Sequence, residues 1–389
     1  MRNRRRGSDT YLRGAIVPAT FDLNGSFHGL IGKPYGVRRD STGKAVAFGS
    51  ATSPFVLGYP FTDQVGFGTK YANPASLPVA VNAILFNSDA TVAFLANNGS
   101  PFVTAYAWNS VTGWGAKFAN PASLPNGACL CIDVHRTPAL AHDHVAAGDS
   151  NGGTGIFLQA YKFSKSGAGW GTRYALPGAG NRPPAQVNGI AFSNNGAQIV
   201  TAHNTTPFTT AYPFTDASGF GTKFAAPSTL LGNSGDTPQF SKVGGAVIIA
   251  HGTSGGNLVG AYAFSAAGYG TKYANATYPG GWGTDAGQGL SVSALSAVVA
   301  QTLSASFADY IGWRWNDASG FGVRYPLLTK LSAANGVAFN NSGTSIFGAY
   351  ANSPFMMGRR WTASGFGSLY TLPATPPSAL QVSVAVAPL

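Results

Sequence analysis

The stretch TDASGFGTKF, Thr215 to Phe224, contains a Gly-aromatic-Gly motif that returns throughout the chain. The central aromatic residues of its seven copies are Phe67, Trp114, Trp170, Phe220, Tyr269, Phe321 and Phe366. They lie about fifty residues apart, and a period of that length is typical of proteins in which each repeat is one structural unit. A nucleotide-binding glycine loop needs a helix directly after it. Proline-containing segments such as ANPASLP, Ala72 to Pro78, follow instead, so the motif is architectural.

The composition favours an all-β fold. The chain has 389 residues with 52 glycines and 24 prolines, 12% of its residues are aromatic and only 10% are charged, which describes a turn-rich globular protein. All 13 acidic residues are aspartates, so the helix-forming glutamate is missing altogether.

The fourth repeat shows the structural unit. Apolar runs alternate with turn residues and predict strands a to d at Gly189–Ser193, Ala197–His203, Pro207–Phe214 and Gly221–Ala226. The Gly-Phe-Gly would then be the turn between strands c and d, with its aromatic ring packed between neighbouring units.

Seven such units predict a seven-bladed β-propeller of four-stranded blades. The ends of the chain complete it: residues 1–34 are a basic N-terminal arm and lead-in, residues 35–378 the propeller, and residues 379–389 a C-terminal closing strand. The expected inner strand of the first blade, YGVRRDS at Tyr35 to Ser41, is the poorest match to the repeat, because two arginines replace its apolar pair.

Three sequence motifs of the repeat carry a family resemblance: GIAFSNNG (Gly189–Gly196), TAHNTTPF (Thr201–Phe208) and GFGTKYANPASLP (Gly66–Pro78). They resemble the WD-repeat-like propeller proteins common in phages and prophages, over roughly residues 35–376. The resemblance implies a virion-associated or host-surface-facing role without catalytic residues or cofactors. The third and fifth blades depart from it at Gly148–Phe157 and Ala250–Leu258, so a uniform ring of binding loops is not expected.

The carboxylates argue against catalysis. Glycoside hydrolysis generally needs two carboxyl groups placed across the scissile bond. The turn aspartates Asp63, Asp216 and Asp317 resemble the Asp-box of sialidases, but with one residue too many before the glycine, and we interpret them as turn caps. We therefore predict no enzymatic activity and no catalytic residue, with an aspartate-only glycoside hydrolase as the alternative.

One segment gathers metal-ligating residue types, namely Cys129, Cys131, His135, His142, Asp143 and His144. Cys131 and His135 would lie about 13 Å apart along a strand, too far to share one tetrahedral ion. The three histidines with Asp143 could bind zinc, but solvated loop histidines explain the pattern as well, and we predict no metal.

Basic residues form two groups. The first follows the Gly-aromatic-Gly motif in six of seven repeats and comprises Lys70, Lys117, Arg173, Lys223, Lys272 and Arg324. Protection of exposed edge strands explains this group, with polyanion binding as the alternative. The second group lies in the N-terminal arm and comprises Arg2, Arg4, Arg5, Arg6 and Arg13. It predicts a particle-docking arm, with a solvated tail as the alternative.

The predicted partners are other virion proteins of the capsid or tail, and nucleic acid only through the basic arm. The arm has no apolar signal segment, and the run 286–308 is too polar to cross a membrane and predicts two strands. We therefore expect a virion location without membrane insertion.

Recognition is predicted on the loops between strands b and c, since loops on a rigid scaffold commonly carry binding residues. The predicted ligand-binding residues are Asn97, Asn98, Ser100, His203, Asn204, Thr205, His251, Thr253, Asn352 and Ser353. For His203 and His251, which end strand b in two repeats, loop shaping is our interpretation and ligand contact the alternative. The leading hypothesis is a non-enzymatic phage structural or accessory propeller that recognises a host surface polysaccharide or a protein. A cellular sugar-binding or scaffolding propeller is the alternative.

Overall fold

The computed structural model describes residues 45–136, 140–150, 155–164, 166–252, 257–278, 287–293, 297–302, 310–327, 334–340 and 342–387. The predicted arm and the segment 35–41 lie outside these residues. The strands, in chain order, are β1 (Ala45–Ser50), β2 (Val56–Thr62), β3 (Gly66–Phe67), β4 (Val81–Phe86), β5 (Val92–Asn97), β6 (Val103–Asn109), β7 (Gly113–Lys117), β8 (Cys129–His135), β9 (His142–Asp149), β10 (Leu158–Ser164), β11 (Gly169–Arg173), β12 (Val187–Phe192), β13 (Gln198–His203), β14 (Thr209–Thr215), β15 (Gly219–Phe220), β16 (Gly235–Phe240), β17 (Ala246–His251), β18 (Val259–Ser265), β19 (Gly268–Lys272), β20 (Gly287–Val292), β21 (Ala297–Thr302), β22 (Tyr310–Asn316), β23 (Gly320–Arg324), β24 (Ala334–Phe339), β25 (Ser345–Tyr350), β26 (Met356–Thr362), β27 (Gly365–Leu369) and β28 (Gln381–Ala387). A 3-10 turn spans Ala179–Asn181.

The strands form seven four-stranded antiparallel sheets, which we call blades 1 to 7. Blade 1 contains β28, β1, β2 and β3, and the next six blades each take four consecutive strands, from β4–β7 to β24–β27. We letter the strands of a blade a to d. Each a strand contacts the a strand of the next blade, and the series returns to β28, so the protein is an all-β propeller of four-stranded blades.

The C-terminal strand β28 is the a strand of blade 1. It pairs antiparallel with β1 from Ala45↔Ala387 to Ser50↔Gln381, so the two ends of the described chain share one sheet. The prediction that YGVRRDS supplies this strand is therefore wrong: β28, with Val382, Val384 and Val386 buried, occupies the place.

In blade 4, the predicted strands a, b and c agree with β12, β13 and β14 to within two residues at each end. The predicted d strand is wrong, because Gly219 and Phe220 belong to strand d, and residues 216–218 form the turn. Gly219 has φ of 72° and pairs with Thr215, so the motif begins the outer strand. The first glycine of every motif copy has φ between 72° and 102°, a region that favours glycine.

The motif joins each blade to the preceding one. The aromatic residue that ends one motif packs against the first glycine of the next, in the pairs Tyr71–Gly113, Phe118–Gly169, Tyr174–Gly219, Phe224–Gly268, Tyr273–Gly320, Tyr325–Gly365 and Tyr370–Gly66. The central aromatic ring packs edge-to-face on a strand c ring, as for Trp114 on Trp108 with centroids 4.9 Å apart. Buried apolar clusters extend across these junctions, so the core lies between blades as well as within them.

Candidate functional site

The b-to-c loops of blades 1, 2, 4 and 7 share one backbone conformation. Each has a cis X-Pro peptide followed by a phenylalanine with φ between 60° and 69°, at Phe55, Phe102, Phe208 and Phe355. That phenylalanine donates its amide to the carbonyl three residues earlier at 2.8 Å, and its carbonyl accepts from the last residue of strand b at 2.7–3.0 Å. Because the backbone groups are paired within each loop, the loops hold their intervening side chains in one arrangement.

Six of the predicted ligand-binding residues project from these loops into solvent. They are Asn98, Ser100, Asn204, Thr205, Asn352 and Ser353. Their side chains are amides and hydroxyls, so the face they form is polar and uncharged. Thr253, in blade 5, lies outside the described residues.

The other three predicted contacts are buried, which corrects their assignment as ligand-binding residues. Asn97 donates to Thr104 Oγ1 at 3.1 Å. The His203 Nδ1 lies 2.7 Å from the Thr205 carbonyl oxygen, and His251 makes the equivalent contact with Gly252. Burial lowers the pKa of His203 and of His251 to about 4, so both rings are neutral supports of the loop backbone.

Grooves run along several blade junctions. The b-to-c loop of blade 1 and the linker after blade 7 enclose about 210 Å³, lined by Thr52, Ser53 and Lys70 among others. A groove of about 740 Å³ borders Arg173, and one of about 670 Å³ borders Lys272. Each groove thus contains one member of the basic series that follows the motif.

The six basic residues that follow the motif are half-buried on strand d or just after it. Their hydrogen-bond acceptors are neutral groups: Lys70 Nζ donates to Asn73 Oδ1 at 3.1 Å, and Lys272 Nζ donates to the Leu230 carbonyl at 3.2 Å. No carboxylate among the described residues pairs with them. Burial lowers the pKa of Lys272. The outer edge of the blades, where these six residues lie, is therefore positively charged. This charge fits both protection of the edge strands and attraction of anions.

The turn aspartates connect blades at the opposite end of the strands. Asp63 accepts hydrogen bonds from the hydroxyls of Thr344, at 2.6 Å, and Ser345, both in blade 7. Asp317 accepts from the Ser241 hydroxyl at 2.6 Å and the Gly245 amide at 3.0 Å, both in blade 5. Their role is structural, as the sequence suggested, but they bind the preceding blade as well as their own turns.

Asp216 makes the same type of junction with different partners. Its Oδ1 lies 2.6 Å from His142 Nε2, 3.2 Å from His144 Nε2, 2.8 Å from the Tyr174 hydroxyl and 3.0 Å from Lys162 Nζ. Burial raises the pKa of Asp216, but the hydrogen bonds from Lys162, His142, Tyr174 and His144 outweigh it and hold the pKa below its usual value.

The interpretation of these histidines as solvated loop residues is wrong. Desolvation lowers the pKa of His144 to about 4, and the His142 side chain is only 18% exposed. The sequence pointed to Asp143 as their neighbour, whereas the structure brings in Asp216, which lies more than seventy residues away. His135 stands apart, with its ring 6.0 Å from that of His144. The recurrence of the turn aspartate at the same place in three of the seven repeats was the signal that could have placed Asp216 there.

Cys129 and Cys131 are free and buried on the a strand of blade 3. Burial raises the pKa of both thiols well above its usual value, so they are unreactive interior groups. Among the described residues, no helix is long and apolar enough to cross a membrane.

No protein-family model matches the sequence. The comparison with curated proteins gives no match either. Among solved structures, the chain is similar to a periplasmic gluconolactonase of Pseudomonas aeruginosa, with 14% identity, a TM-score of 0.62, and coverage of 92% of this chain and 98% of the gluconolactonase. It is also similar to the β-propeller domain of Cps50 (Swd1) from Myceliophthora thermophila, with 9% identity, a TM-score of 0.60, and coverage of 85% and 98%. A third is the hydrazine synthase of Kuenenia stuttgartiensis, with 12% identity, a TM-score of 0.60, and coverage of 91% and 99%. At these identities the likeness establishes the propeller fold, which hosts unrelated functions.

Proposed function

We propose that the chain is a non-enzymatic recognition propeller whose b-to-c loop face binds a glycan. The observation that carries this proposal is the repetition of one loop conformation in four blades, each displaying uncharged polar side chains on the same face. Amides and hydroxyls suit sugar hydroxyl groups, which both donate and accept hydrogen bonds. Several weak contacts spaced around a rigid ring would add up on a ligand that repeats, such as a polysaccharide.

The carboxylates support a non-enzymatic role. Asp63, Asp216 and Asp317 belong to three different blade junctions, and donors of the preceding blade already occupy each of them. A glycoside hydrolase would need two carboxyl groups facing one bond, about 5 to 10 Å apart. One structural neighbour, with 14% identity, is named a gluconolactonase. Lactone hydrolysis is therefore the alternative activity that has to be measured.

The setting that we propose is a phage particle, on the strength of the sequence motifs of the repeat and the basic arm. Docking would use the five arginines of that arm, leaving the loop face outward toward a host surface polysaccharide. Deletion of residues 1–13 should leave the propeller folded and abolish binding to intact particles. Retained particle binding would instead favour a cellular sugar-binding or scaffolding protein.

The loop face is tested with a triple variant, Asn98→Ala, Asn204→Ala and Asn352→Ala, because no hydrogen bond of these three side chains supports the loop backbone. Binding of purified protein to host envelope polysaccharide is measured by biolayer interferometry at two salt concentrations. The expected result is at least a tenfold loss of affinity with an unchanged melting temperature. Thr112→Ala, an exposed change at the opposite end of blade 2, is the control. Equal affinity of wild type and triple variant, or turnover of a sugar lactone, would overturn the proposal.

A further inference from the structure

Three metal-ligating side chains from two blades converge at the junction of blades 3 and 4. His142 and His144 are two residues apart on β9, so their side chains leave the same side of the strand. Asp216 reaches them from the turn after β14 in the next blade. One ligand atom from each of the three side chains lies within 4.8 Å of the other two.

This junction is chemically unlike the two others that a turn aspartate makes. In blade 7 the position of His144 is held by Ser345, and in blade 5 by Ala246, as the pairing of strands b and c shows. The carboxylate of Asp63 accepts from hydroxyl and amide donors, and that of Asp317 from hydroxyl, amide and indole donors, none of which is a metal ligand of the imidazole type. A turn aspartate can join two blades with hydrogen-bond donors alone and does not require two imidazoles for that. The pair of histidines therefore gives this junction a capacity for metal ligation that the other two junctions lack.

We propose that His142, His144 and Asp216 bind a divalent transition metal ion, with zinc as the best fit. Two imidazoles and one carboxylate form a mixed nitrogen and oxygen ligand set that suits zinc, and three protein ligands leave a fourth position for water. The Tyr174 hydroxyl donates a hydrogen bond to Asp216 Oδ1 at 2.8 Å and helps to orient this carboxylate.

The two separations between histidine and aspartate ligand atoms are near those of a tetrahedral site. Ligand atoms about 2.0 to 2.1 Å from zinc lie about 3.3 Å from one another. The separation of His144 Nε2 from Asp216 Oδ1 is already 3.2 Å, whereas that of His142 Nε2 is 2.6 Å and has to widen. The Asp216 side chain is 34% exposed on a turn, which gives it room to withdraw.

The Lys162 ammonium group is a cation that would compete with a metal ion for Asp216. Its Nζ lies 3.0 Å from Asp216 Oδ1, and its side chain is 33% exposed, so it can swing into solvent when the metal enters. Removal of this ammonium group should therefore raise the affinity of the site for the metal ion. In a junction with a purely structural role, the same removal would only lose an ion pair and weaken the contact between the blades. The direction of the change therefore separates a metal site from a polar junction.

The test is a titration of tag-free, full-length protein with Zn²⁺, followed by calorimetry, and with Co²⁺, followed by its visible absorption. Wild type should bind one equivalent, and the double variant His142→Gln with His144→Gln should lose at least tenfold in affinity. Glutamine keeps an N–H donor for Asp216 but is a poor zinc ligand. The matched control is His203→Gln with His251→Gln, which should bind zinc as wild type does.

Lys162→Met should tighten zinc binding several-fold, and zinc should raise the melting temperature of wild type but not of the double variant. Should the double variant fail to fold, Asp216→Asn replaces it and should lose zinc binding to the same extent. Absence of stoichiometric zinc binding by wild type, equal affinity of the glutamine variant, or weaker binding by Lys162→Met would each overturn the proposal. Loss of zinc binding would leave the glycan-binding proposal untouched, because the loop face lies at the other end of the strands.

Discussion

Gly113→Ala tests whether the motif glycine and the aromatic residue before it hold adjacent blades together. Two costs combine at this position. An alanine at φ of 82° occupies the left-handed region, which costs about 1 to 2 kcal/mol. Its Cβ would also lie 2.5 Å from Tyr71 Cγ, and forcing an extra carbon into a packed site costs about 1 to 3 kcal/mol. The lower entropy of the unfolded alanine chain offsets about 0.4 to 1 kcal/mol. We expect the free energy of unfolding to fall by about 2 to 4 kcal/mol.

Two other glycines separate these costs. Gly167 has φ of 87°, but a Cβ there would meet nothing within 4 Å, so Gly167→Ala isolates the backbone cost. Gly180 has neither constraint, and Gly180→Ala should leave stability unchanged or raise it by up to about 1 kcal/mol. Urea unfolding midpoints, at equal m-values, measure all three. If Gly113→Ala lowers the free energy of unfolding no more than Gly167→Ala does, the idea of a packed junction is refuted. The double variant Tyr71→Ala with Gly113→Ala should recover the part of the cost that comes from the clash with the Tyr71 ring.

Three further predictions concern the junctions, the buried histidines and the closing strand. Asp63→Asn should lower the free energy of unfolding, measured in urea, by about 1 to 3 kcal/mol, because it disturbs the hydrogen bond with the buried Ser345 hydroxyl. Asp89→Asn, which removes a half-exposed ion pair with Arg136, should cost at most about 1 kcal/mol. His203 and His251 have pKa values lowered to about 4, so the unfolded chain binds more protons than the folded chain between pH 6.5 and 4. The free energy of unfolding should therefore fall as the pH falls through that range, and unfolding curves of the double variant His203→Gln with His251→Gln should show a shallower fall. Deletion of residues 379–389 should expose the edge of β1 and cause aggregation, visible by light scattering, and a peptide of that sequence added during refolding should reduce it.

The sequence predicted the propeller because its strongest signals are local and repeated. Alternation of apolar and turn residues placed the strands of blade 4 to within two residues, and the two strands predicted in the run 286–308 are β20 and β21. The start of strand d was missed because a glycine with positive φ fits both a turn and the irregular first pair of a strand. Local pattern does not separate these cases; the pairing of Thr215 with Gly219 does.

The site was less predictable because it depends on which side of a strand a polar residue faces and on contacts between repeats. His203 and Asn204 are adjacent and both polar, yet the first is buried beneath the loop and the second exposed upon it. His144 and Asp216 meet only because the turn of one blade reaches strand b of the preceding blade. Alignment of the repeats identifies equivalent residues along the chain, but it does not predict which residue of the neighbouring blade each of them contacts.

The two ends of the strands have different tasks, and this division favours recognition on the loop face. At the turn end, Asp63, Asp216 and Asp317 each tie one blade to the preceding blade, so a saccharide there would compete with the contacts that hold the ring together, whereas the proposed metal ion would itself join blades 3 and 4. At the other end, the b-to-c loops satisfy their backbone within themselves, and their exposed amides and hydroxyls are not needed by a neighbouring blade. Substitutions at those positions can change the ligand without loosening the junctions. A propeller built in this way can vary its recognition face while the spacing and chemistry of its junctions stay fixed.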